Sequence, residues 1–298
     1  MVEARAASQP RLSVVVPHYQ DLERLDLCLA ALDRQSYPRE DFEIVVADNA
    51  SPAGADAVNA VIAGRARLVV VRQKGAGPAR NGGVAASRGA ILAFTDSDCQ
   101  PEPDWLAEGM RALASHDFVG GCMKVLVEDP GAVTSVEAFE QVFAFNNRDY
   151  VVRKGFSVTA NLFCPRSVFD EVGGFRVGVS EDLEWCHRAR AAGYNIGYAP
   201  LAIVGHPARR TWAELRQKSM RIDAEMFALA SAEQHGRLNW LIRSLALPLS
   251  ALAHTPRVAF SGALNRPRQR LGALVMLYRV RFWRFADSLG LLLGRGAE

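Results

Sequence analysis

The stretch ILAFTDSD, residues 91–98, carries an apolar run straight into two carboxylates. Its apolar part has the length and composition of a buried β-strand, and Asp96 and Asp98 stand at alternate positions behind it. A second apolar run, at residues 42–47, ends in the same way at Asp48. Ligands bind beyond the carboxyl ends of the strands in parallel sheets, so Asp48 and Asp96 stand where a binding site is expected.

Around this stretch, candidate strands alternate with candidate helices. The strands are β-branched or apolar runs at residues 12–16, 42–47, 66–72 and 90–94. The helices have apolar residues at helical spacing, or small residues behind a Gly-rich turn, at 21–32, 55–63 and 79–88. This alternation predicts an α/β fold in which a mostly parallel sheet is flanked by helices on both faces.

The second half of the chain is less regular. We expect strands at 117–127 and 194–199, an extended segment at 154–163, and helices at 133–145, 166–172 and 180–192. From Thr211 onward the pattern is helical, and Pro248, Pro256 and Pro267 are expected to interrupt it. We therefore predict an α/β domain at 11–206, which the family resemblance below makes the catalytic domain, and a basic, amphipathic helical region at 207–298.

Composition and charge limit the class of protein. With 49% apolar and 22% charged residues, the 298-residue chain is that of a folded globular protein. Residues 1–206 carry 20 Lys and Arg against 26 Asp and Glu, whereas residues 207–298 carry 15 against 6. The five scattered cysteines lack metal-ligand spacing and are expected to be reduced, buried thiols. The Met1–Pro10 stretch lacks the apolar run of a signal peptide, and no stretch has the roughly 18 apolar residues of a spanning helix, so we expect a cytoplasmic or peripheral protein.

The paired carboxylates have a chemical interpretation and a structural one. One or two carboxylates with phosphate oxygens make a good octahedral site for Mg²⁺ or Mn²⁺, which neutralises the charge of a nucleotide diphosphate. An Asp-Ser-Asp triplet shortly before Pro101 is equally what a polar turn contains. The triplet alone leaves both interpretations open.

An ordered set of motifs favours the metal site. The motifs are SVVVPHY (13–19), EIVVADNAS (43–51), ARNGG (79–83), ILAFTDSD (91–98), GGF (173–175) and the Glu181-Asp182 pair running to Arg188. Together they resemble the family 2 glycosyltransferases over roughly residues 11–206, and residues 139–175 resemble the bacterial exopolysaccharide-type members. The resemblance implies a GT-A fold, a nucleotide-diphosphate sugar donor, uridine being the usual nucleoside, a divalent metal and inversion at the anomeric carbon.

The resemblance also implies roles for residues of the donor site. Pro17 and Tyr19 would line the pocket of the base, Asp48 would hydrogen-bond the base, and Arg80 would approach the diphosphate. Asp96 would serve the ribose or the metal, and Asp98 would be the direct metal ligand. Two departures affect the contacts to the base: the Thr-Tyr-Asn that often follows the proline is His18-Tyr19-Gln20 here, and the usual paired acids are Asp48-Asn49.

Downstream, the resemblance assigns Asp182 as general base, with Glu181 as its neighbour or an acceptor contact. An inverting transfer needs such a carboxylate beside the acceptor hydroxyl, although acids in a first helical turn also complement the helix dipole without catalysis. Trp185 and Arg188 share a helical face with Asp182 and would contact the acceptor, although Trp185 also fits a core. His206 stands where relatives place a further metal ligand, and an imidazole suits Mn²⁺ better than Mg²⁺.

The basic C-terminal region mixes arginines with aromatic and aliphatic residues between 240 and 293. Its helical periodicity and apolar content favour an anionic membrane surface over RNA, so we expect no nucleic-acid partner. A helical cap with solvated arginines is the plainer alternative. A lipid-linked acceptor, as in bacterial polysaccharide assembly, would give residues 238–298 a purpose.

The sequence therefore predicts an inverting, metal-dependent glycosyltransferase acting on a saccharide or lipid-linked acceptor. Two alternatives stay open, a catalytically silent nucleotide-sugar-binding module and a nucleotidyltransferase. A dinucleotide-dependent oxidoreductase is disfavoured, because the Gly75-Ala76-Gly77 turn has Arg80 where the third glycine of that fingerprint belongs.

Overall fold

The first predicted strand lies inside a mixed sheet. The computed structural model describes residues 10–294, and in this part of the chain the sheet has eight strands. Two stretches lie outside the described residues, 1–9 and 295–298. The first holds most of the Met1–Pro10 stretch that was predicted to lack a signal peptide, and the second is the end of the predicted C-terminal region. The strands are β1 Leu12–His18, β2 Phe42–Asp48, β3 Arg67–Val70, β4 Ile91–Phe94, β5 Gln100–Pro101, β6 Phe118–Leu126, β7 Leu162–Pro165 and β8 Ile196–Pro207.

The sheet is parallel in its first half and antiparallel beyond it. Its spatial order is β3-β2-β1-β4-β7-β6-β8-β5. β1 runs parallel to β2 and to β4, and β2 runs parallel to β3, whereas β7 is antiparallel to both β4 and β6. The predicted α/β fold is therefore confirmed with a mixed sheet, and the ends of β1, β2 and β4 lie together at the carboxyl-terminal edge of its parallel half.

The helices flank this sheet or form a separate bundle. They are α1 Leu22–Asp33, α2 Gly54–Ile62, α3 Ala76–Ala86, α4 Trp105–Leu113, α5 Ser135–Phe143, α6 Asn147–Asp149, α7 Arg166–Val172, α8 Glu181–Ala191, α9 Trp212–Ser231, α10 Gly236–Ala259 and α11 Pro267–Leu292. The close approach of α3 to β1 depends on Gly83, where a Cβ atom would lie 2.5 Å from Val15 Cγ1. This close fit fixes the position of the Arg80 side chain on the same helix.

The described residues form two compact units. The first comprises residues 10–124, 146–177 and 181–206 and contains the sheet, and the second comprises 125–145, 178–180 and 207–294. Residues 125–145, which the sequence assigned to 11–206, cluster with the C-terminal helices. The predicted domains, 11–206 and 207–298, stay a prediction.

The core of the first unit is an aromatic cluster beneath the sheet. Phe118, Phe169 and Phe175 pack against Trp185, which has no exposed surface, and the ring centroids of Phe175 and Trp185 are 5.9 Å apart. Phe94 of β4 contacts Phe169 and Phe175 in turn. Trp185 Nε1 donates to the carbonyl oxygen of Gly173 at 2.9 Å, so its one polar atom is satisfied. This cluster fastens α8 to the ends of β4 and α7.

The predicted extended segment at 154–163 is wrong in two places. Tyr150–Lys154 forms a π-helical turn, Thr159–Asn161 a 3₁₀ turn, and the strand begins only at Leu162. Gly155, at φ +70°, ends the π-helical turn. The buried Asn161 side chain then holds the segment by donating to two carbonyl oxygens and accepting from Trp105 Nε1. Long-range polar partners, which sequence periodicity does not reveal, set this conformation.

The second unit is a helical bundle around its own core. Asp223 of α9 is buried and forms a two-pronged pair with Arg284 of α11. Pro248 and Pro256 lie inside α10, so the expectation that they interrupt the helix is wrong, whereas Pro267 begins α11. Buried α10 positions on both sides of Pro248 keep the helix continuous through packing, which outweighs the lost backbone hydrogen bond. Within residues 10–294, we find no helix with the length and apolar character needed to cross a bilayer.

Candidate active site

The ends of β1 and β2 bring two polar side chains together. His18 lies opposite Asp48 in the parallel register, and His18 Nδ1 is 2.8 Å from Asp48 Oδ1. Both side chains are almost fully buried, and His18 Nε2 has no hydrogen-bond partner among residues 10–294. An orphaned buried nitrogen at a sheet edge is a group that a ligand can satisfy.

Asp48 is also held by Ser51, which sequence reasoning missed. The Ser51 backbone N–H donates to Asp48 Oδ2 at 2.9 Å and its hydroxyl donates to Asp48 Oδ1 at 2.5 Å. Burial would raise the pKa of Asp48, but the hydrogen bonds from Ser51 and His18 outweigh it and hold that pKa below its ordinary value. Only 1% of Asp48 is exposed, so little of this carboxylate is open to a base while these partners hold it.

The two other residues expected at the base differ in exposure. Pro17 is buried within β1, opposite Ala47. Tyr19 follows the strand and is 51% exposed, which leaves its ring available for stacking. Gln20, at φ +70°, is held by a hydrogen bond from its backbone N–H to Ser51 Oγ. Ser51 thus organises both loops that follow β1 and β2.

Arg80 connects the two acidic motifs. One guanidinium nitrogen is 2.6 Å from Asp96 Oδ1 and the other is 2.8 Å from Glu181 Oε1. The Arg80 side chain is 4% exposed, and within the described part of the chain its Nε has no hydrogen-bond partner. Burial would lower the pKa of Arg80, but the charges of Asp96 and Glu181 raise it instead, so the side chain stays cationic. This bridge brings the end of β4 to the first turn of α8.

We expect Arg80→Lys to lower the free energy of unfolding by about 1–3 kcal/mol, because a lysine cannot hold both carboxylates with a planar fork. Chemical denaturation followed by circular dichroism measures the change. Arg111→Lys is the matched control, since Arg111 pairs with Glu108 at the surface with a 70% exposed side chain and should change stability by less than about 0.5 kcal/mol. Equal losses for the two variants would show that the Arg80 bridge contributes nothing beyond a surface pair.

A cluster of possible metal ligands follows β4. Ligand atoms of Asp96, Asp98 and Cys99 all lie within 4.8 Å of one another. His206, at the end of β8, places Nε2 3.5 Å from Asp98 Oδ2. Two carboxylates with an imidazole beside them fit a divalent cation such as Mn²⁺, and Asp96 is the one whose charge Arg80 already offsets.

Cys99 belongs to this cluster but was not singled out by the sequence. It is fully buried, as is Cys28, whose Sγ lies 3.5 Å from the carbonyl oxygen of Asp96. Burial, and then the charges of Asp98 and Asp96, raise the pKa of both thiols, so they are neutral at physiological pH. All five cysteines are free thiols, and Cys122 is the one that is not buried, which confirms the expectation for this residue type.

The proposed base stands in the first turn of α8. Asp182 directly follows Glu181, the residue that Arg80 holds, and Asp182 Oδ1 accepts a hydrogen bond from Leu183 N at 2.7 Å. Carboxylates at this end of a helix are stabilised by its dipole. The structure thus connects Glu181 to the end of β4 through Arg80, with Asp182 next to it in the first turn of α8, and the assignment of their roles stays a prediction.

The expected acceptor contacts at Trp185 and Arg188 need correction. Trp185 is completely buried in the aromatic core and presents no face to a sugar. Arg188 donates to the carbonyl oxygens of Val172, Gly173 and Gly174 and pairs with Glu184 at 2.7 Å. Both side chains therefore support the loop before α8, because helical spacing from Asp182 says nothing about which side of the helix faces the core.

Asn81 is a further residue that the sequence left unassigned. Its Nδ2 donates to the carbonyl oxygen of Phe175 and its Oδ1 accepts from Phe175 N, both at 2.8 Å. A Cβ atom at Gly174 would lie 2.8 Å from Asn81 Oδ1. The ARNGG and GGF motifs thus bind one another directly, and the sequence indicated no more than that both belong to the same ordered set of motifs.

Two solved structures share the fold. PcManGT, a mannosyltransferase of Pyrobaculum calidifontis solved with GDP-Man and Mn²⁺, has a TM-score of 0.60 at 21% identity, covering 95% of this chain and 85% of its own. TarS of S. aureus has a TM-score of 0.51 at 16% identity, covering 93% of this chain and 54% of its own. These likenesses confirm the GT-A fold with a C-terminal helical region.

Sequence comparisons give the family. The chain is 32% identical over 221 residues to the glycosyltransferase AglE of Haloferax volcanii, covering 72% of each chain. It is 32% identical over 154 residues to the pre-mycofactocin glycosyltransferase of Mycobacterium tuberculosis, covering 47% of this chain and 32% of that protein. The model of glycosyl transferase family 2 matches residues 13–184, more than half of the chain. The chain belongs to glycosyl transferase family 2 and is a glycosyltransferase.

Proposed function

We propose that this enzyme moves a sugar, with inversion, from a nucleotide-diphosphate donor to a saccharide or lipid-linked acceptor of bacterial polysaccharide assembly. The observation that carries the proposal is the Arg80 bridge, which joins Asp96 at the end of β4 to Glu181 at the start of α8. In a single displacement at the anomeric carbon, the residue that contacts the donor and the general base must lie close together. The Arg80 bridge holds the two chain segments that carry these residues next to each other.

In the proposed mechanism Asp182 accepts the proton of the acceptor hydroxyl as that oxygen attacks the anomeric carbon. Arg80 holds Asp96 and Glu181 in place and keeps the site from carrying an unbalanced cluster of negative charge. Tyr19, Pro17 and Asp48 line the position of the base, with Ser51 and His18 orienting Asp48.

We further propose that Asp98 holds a divalent metal ion, Mg²⁺ or Mn²⁺, with Asp96 and His206 as neighbouring ligands. Such an ion, when bound, neutralises the charge that develops on the departing nucleoside diphosphate. The support is the donor set itself, two carboxylates and an imidazole within a few ångströms. The structural neighbour PcManGT was solved with Mn²⁺.

A thermal-shift screen tests donor class and metal together. We expect one nucleoside diphosphate, with Mn²⁺ present, to raise the melting temperature by about 5 °C at 100 times its Kd. The family resemblance favours UDP, and GDP is the necessary comparison because PcManGT was solved with GDP-Man. Equal shifts with and without metal would contradict the metal proposal, and no shift with any nucleotide would contradict the donor proposal.

The released product separates the alternatives. A glycosyltransferase releases the nucleoside diphosphate, a nucleotidyltransferase releases pyrophosphate, and a silent binding module releases neither. Incubation with nucleotide sugars, followed by chromatography of the nucleotides, therefore distinguishes the three.

For the acceptor side, we propose that residues 238–298 bring the enzyme to an anionic membrane surface, where a lipid-linked acceptor would be found. The support is the excess of arginine in this region. We also propose that residues 11–206 catalyse the sugar transfer and that the C-terminal region holds the enzyme at the membrane surface.

A further inference from the structure

One face of α10 is apolar and exposed. Leu238, Ile242, Leu245, Leu249 and Leu252 follow one another at intervals of three or four residues, so they form a single stripe, here called the α10 stripe. Each of these side chains is between 53% and 69% exposed. Five large aliphatic residues in one exposed row are unusual on a protein surface and mark an interaction site.

The stripe is distinct from the side of α10 that packs. The buried positions of this helix are Gly236, Trp240, Ser244, Leu247, Ala251 and Val258. Successive residues turn by about 100° in a helix, which places these positions nearly opposite the stripe. Trp240 Nε1 donates to the carbonyl oxygen of Ser288 on α11, so the buried side is already partnered within the bundle.

The segment that holds α10 and most of α11 is rich in arginine, and one of these arginines, Arg284, is paired with Asp223 of α9. Residues 236–286 contain nine arginines and no aspartate, glutamate or lysine. Arg243, Arg257 and Arg279 lie over aromatic rings. Burial, and then the nearby charge of Arg284, lower the pKa of Arg243 and Arg281, while the negative charge of Asp223 acts in the opposite direction on both.

We propose that the α10 stripe inserts into the interfacial region of an anionic phospholipid bilayer, with the surrounding arginines contacting lipid phosphates. This inference deepens the membrane contact of the proposed function and rests on it. A second copy of the chain is a poor occupant, because two faces rich in arginine would repel each other. An anionic bilayer supplies both an apolar layer for the leucines and counter-charge for the arginines.

Vesicle flotation tests the proposal with the full chain. We expect binding to vesicles of phosphatidylglycerol and phosphatidylcholine. Vesicles of pure phosphatidylcholine should bind more weakly, by roughly fivefold for each arginine that no longer meets an anionic lipid. Combining Leu245→Gln, Leu249→Gln and Leu252→Gln should weaken binding to the anionic vesicles by at least about tenfold, because the apolar anchor is gone while the charge is unchanged. The matched control is Leu27→Gln, on α1 of the first unit and 45% exposed, which should bind as the unaltered chain does.

Circular dichroism of the triple variant verifies that α10 still folds, as expected for exposed positions. Binding of the triple variant equal to that of the unaltered chain would overturn the proposal, and so would absence of binding to anionic vesicles. A concentration-dependent dimer in sedimentation velocity that the triple variant abolishes would identify a second copy as the occupant instead. Transfer to a soluble acceptor is a separate readout, so failure of lipid binding with transfer intact would refute the stripe without touching the chemistry proposed for the first unit.

Discussion

Asp182→Asn should lower kcat by about 10²- to 10⁴-fold while leaving the Kd of the nucleotide sugar nearly unchanged. An asparagine has almost the same shape but cannot accept the proton of the acceptor hydroxyl. Its side-chain oxygen can still accept the hydrogen bond from Leu183 N that Asp182 accepts, so the first turn of α8 should keep its conformation. Steady-state kinetics with a nucleoside diphosphate readout, and calorimetric titration of the donor, measure the two quantities.

Asp170→Asn is the matched control for this change. Asp170 is exposed on α7 in the same unit, and its replacement removes the same charge without touching either acidic motif. If Asp182→Asn keeps turnover within a few fold, Asp182 is not the base. If donor affinity falls in step with kcat, the residue acts on binding and the assignment of its role is wrong.

Asp98→Asn should weaken Mn²⁺ binding far more than Asp96→Asn does. A guanidinium nitrogen of Arg80 lies 2.6 Å from Asp96 Oδ1, and this ion pair reduces the negative charge with which Asp96 can bind a cation. Asp98 Oδ2 lies 3.5 Å from His206 Nε2 and 4.0 Å from a guanidinium nitrogen of Arg24. These contacts are longer than that of Arg80 with Asp96, so the negative charge of Asp98 is less compensated than that of Asp96. We expect Asp96→Asn to cost at most the roughly 10- to 100-fold typical of a residue that supports a metal ligand, and Asp98→Asn to exceed it.

Electron paramagnetic resonance of free Mn²⁺ gives both affinities without reference to turnover. Glu102→Gln serves as control, because Glu102 pairs with Lys124 at the surface close behind the triplet in sequence. The reverse order, with Asp96→Asn the more damaging, would make Asp96 the direct ligand and leave Asp98 to the ribose.

The parallel half of the sheet could be predicted because each of its strands is a short apolar run between polar turns. β1, β2 and β4 begin within a residue of the predicted positions. Prediction failed where tertiary contacts decide the conformation, as in the π-helical turn at Tyr150–Lys154 and the prolines inside α10. In both places packing or a distant polar partner outweighs the local preference of the residues.

The candidate site was predictable as a set of residues but not as a set of contacts. The ordered motifs identified Arg80, Asp96 and Glu181, yet nothing in the sequence says that one guanidinium binds both carboxylates. Ser51 and Asn81 act only through hydrogen bonds that position other residues, so a search of the sequence for catalytic or metal-binding side chains does not find them. Trp185 was ambiguous from sequence because an aromatic residue suits both a core and a sugar face.

The Arg80–Glu181 pair has a consequence for how the enzyme becomes active. Its partners are 101 positions apart along the chain, whereas Arg80 and Asp96 are only 16 apart. Closing so long a segment costs chain entropy, and contacts of this kind form after local structure. If the site works as proposed, we expect a refolding chain that has regained its helices but not this pair to lack turnover, so the return of turnover would mark the late formation of tertiary contacts and not the early collapse of the chain.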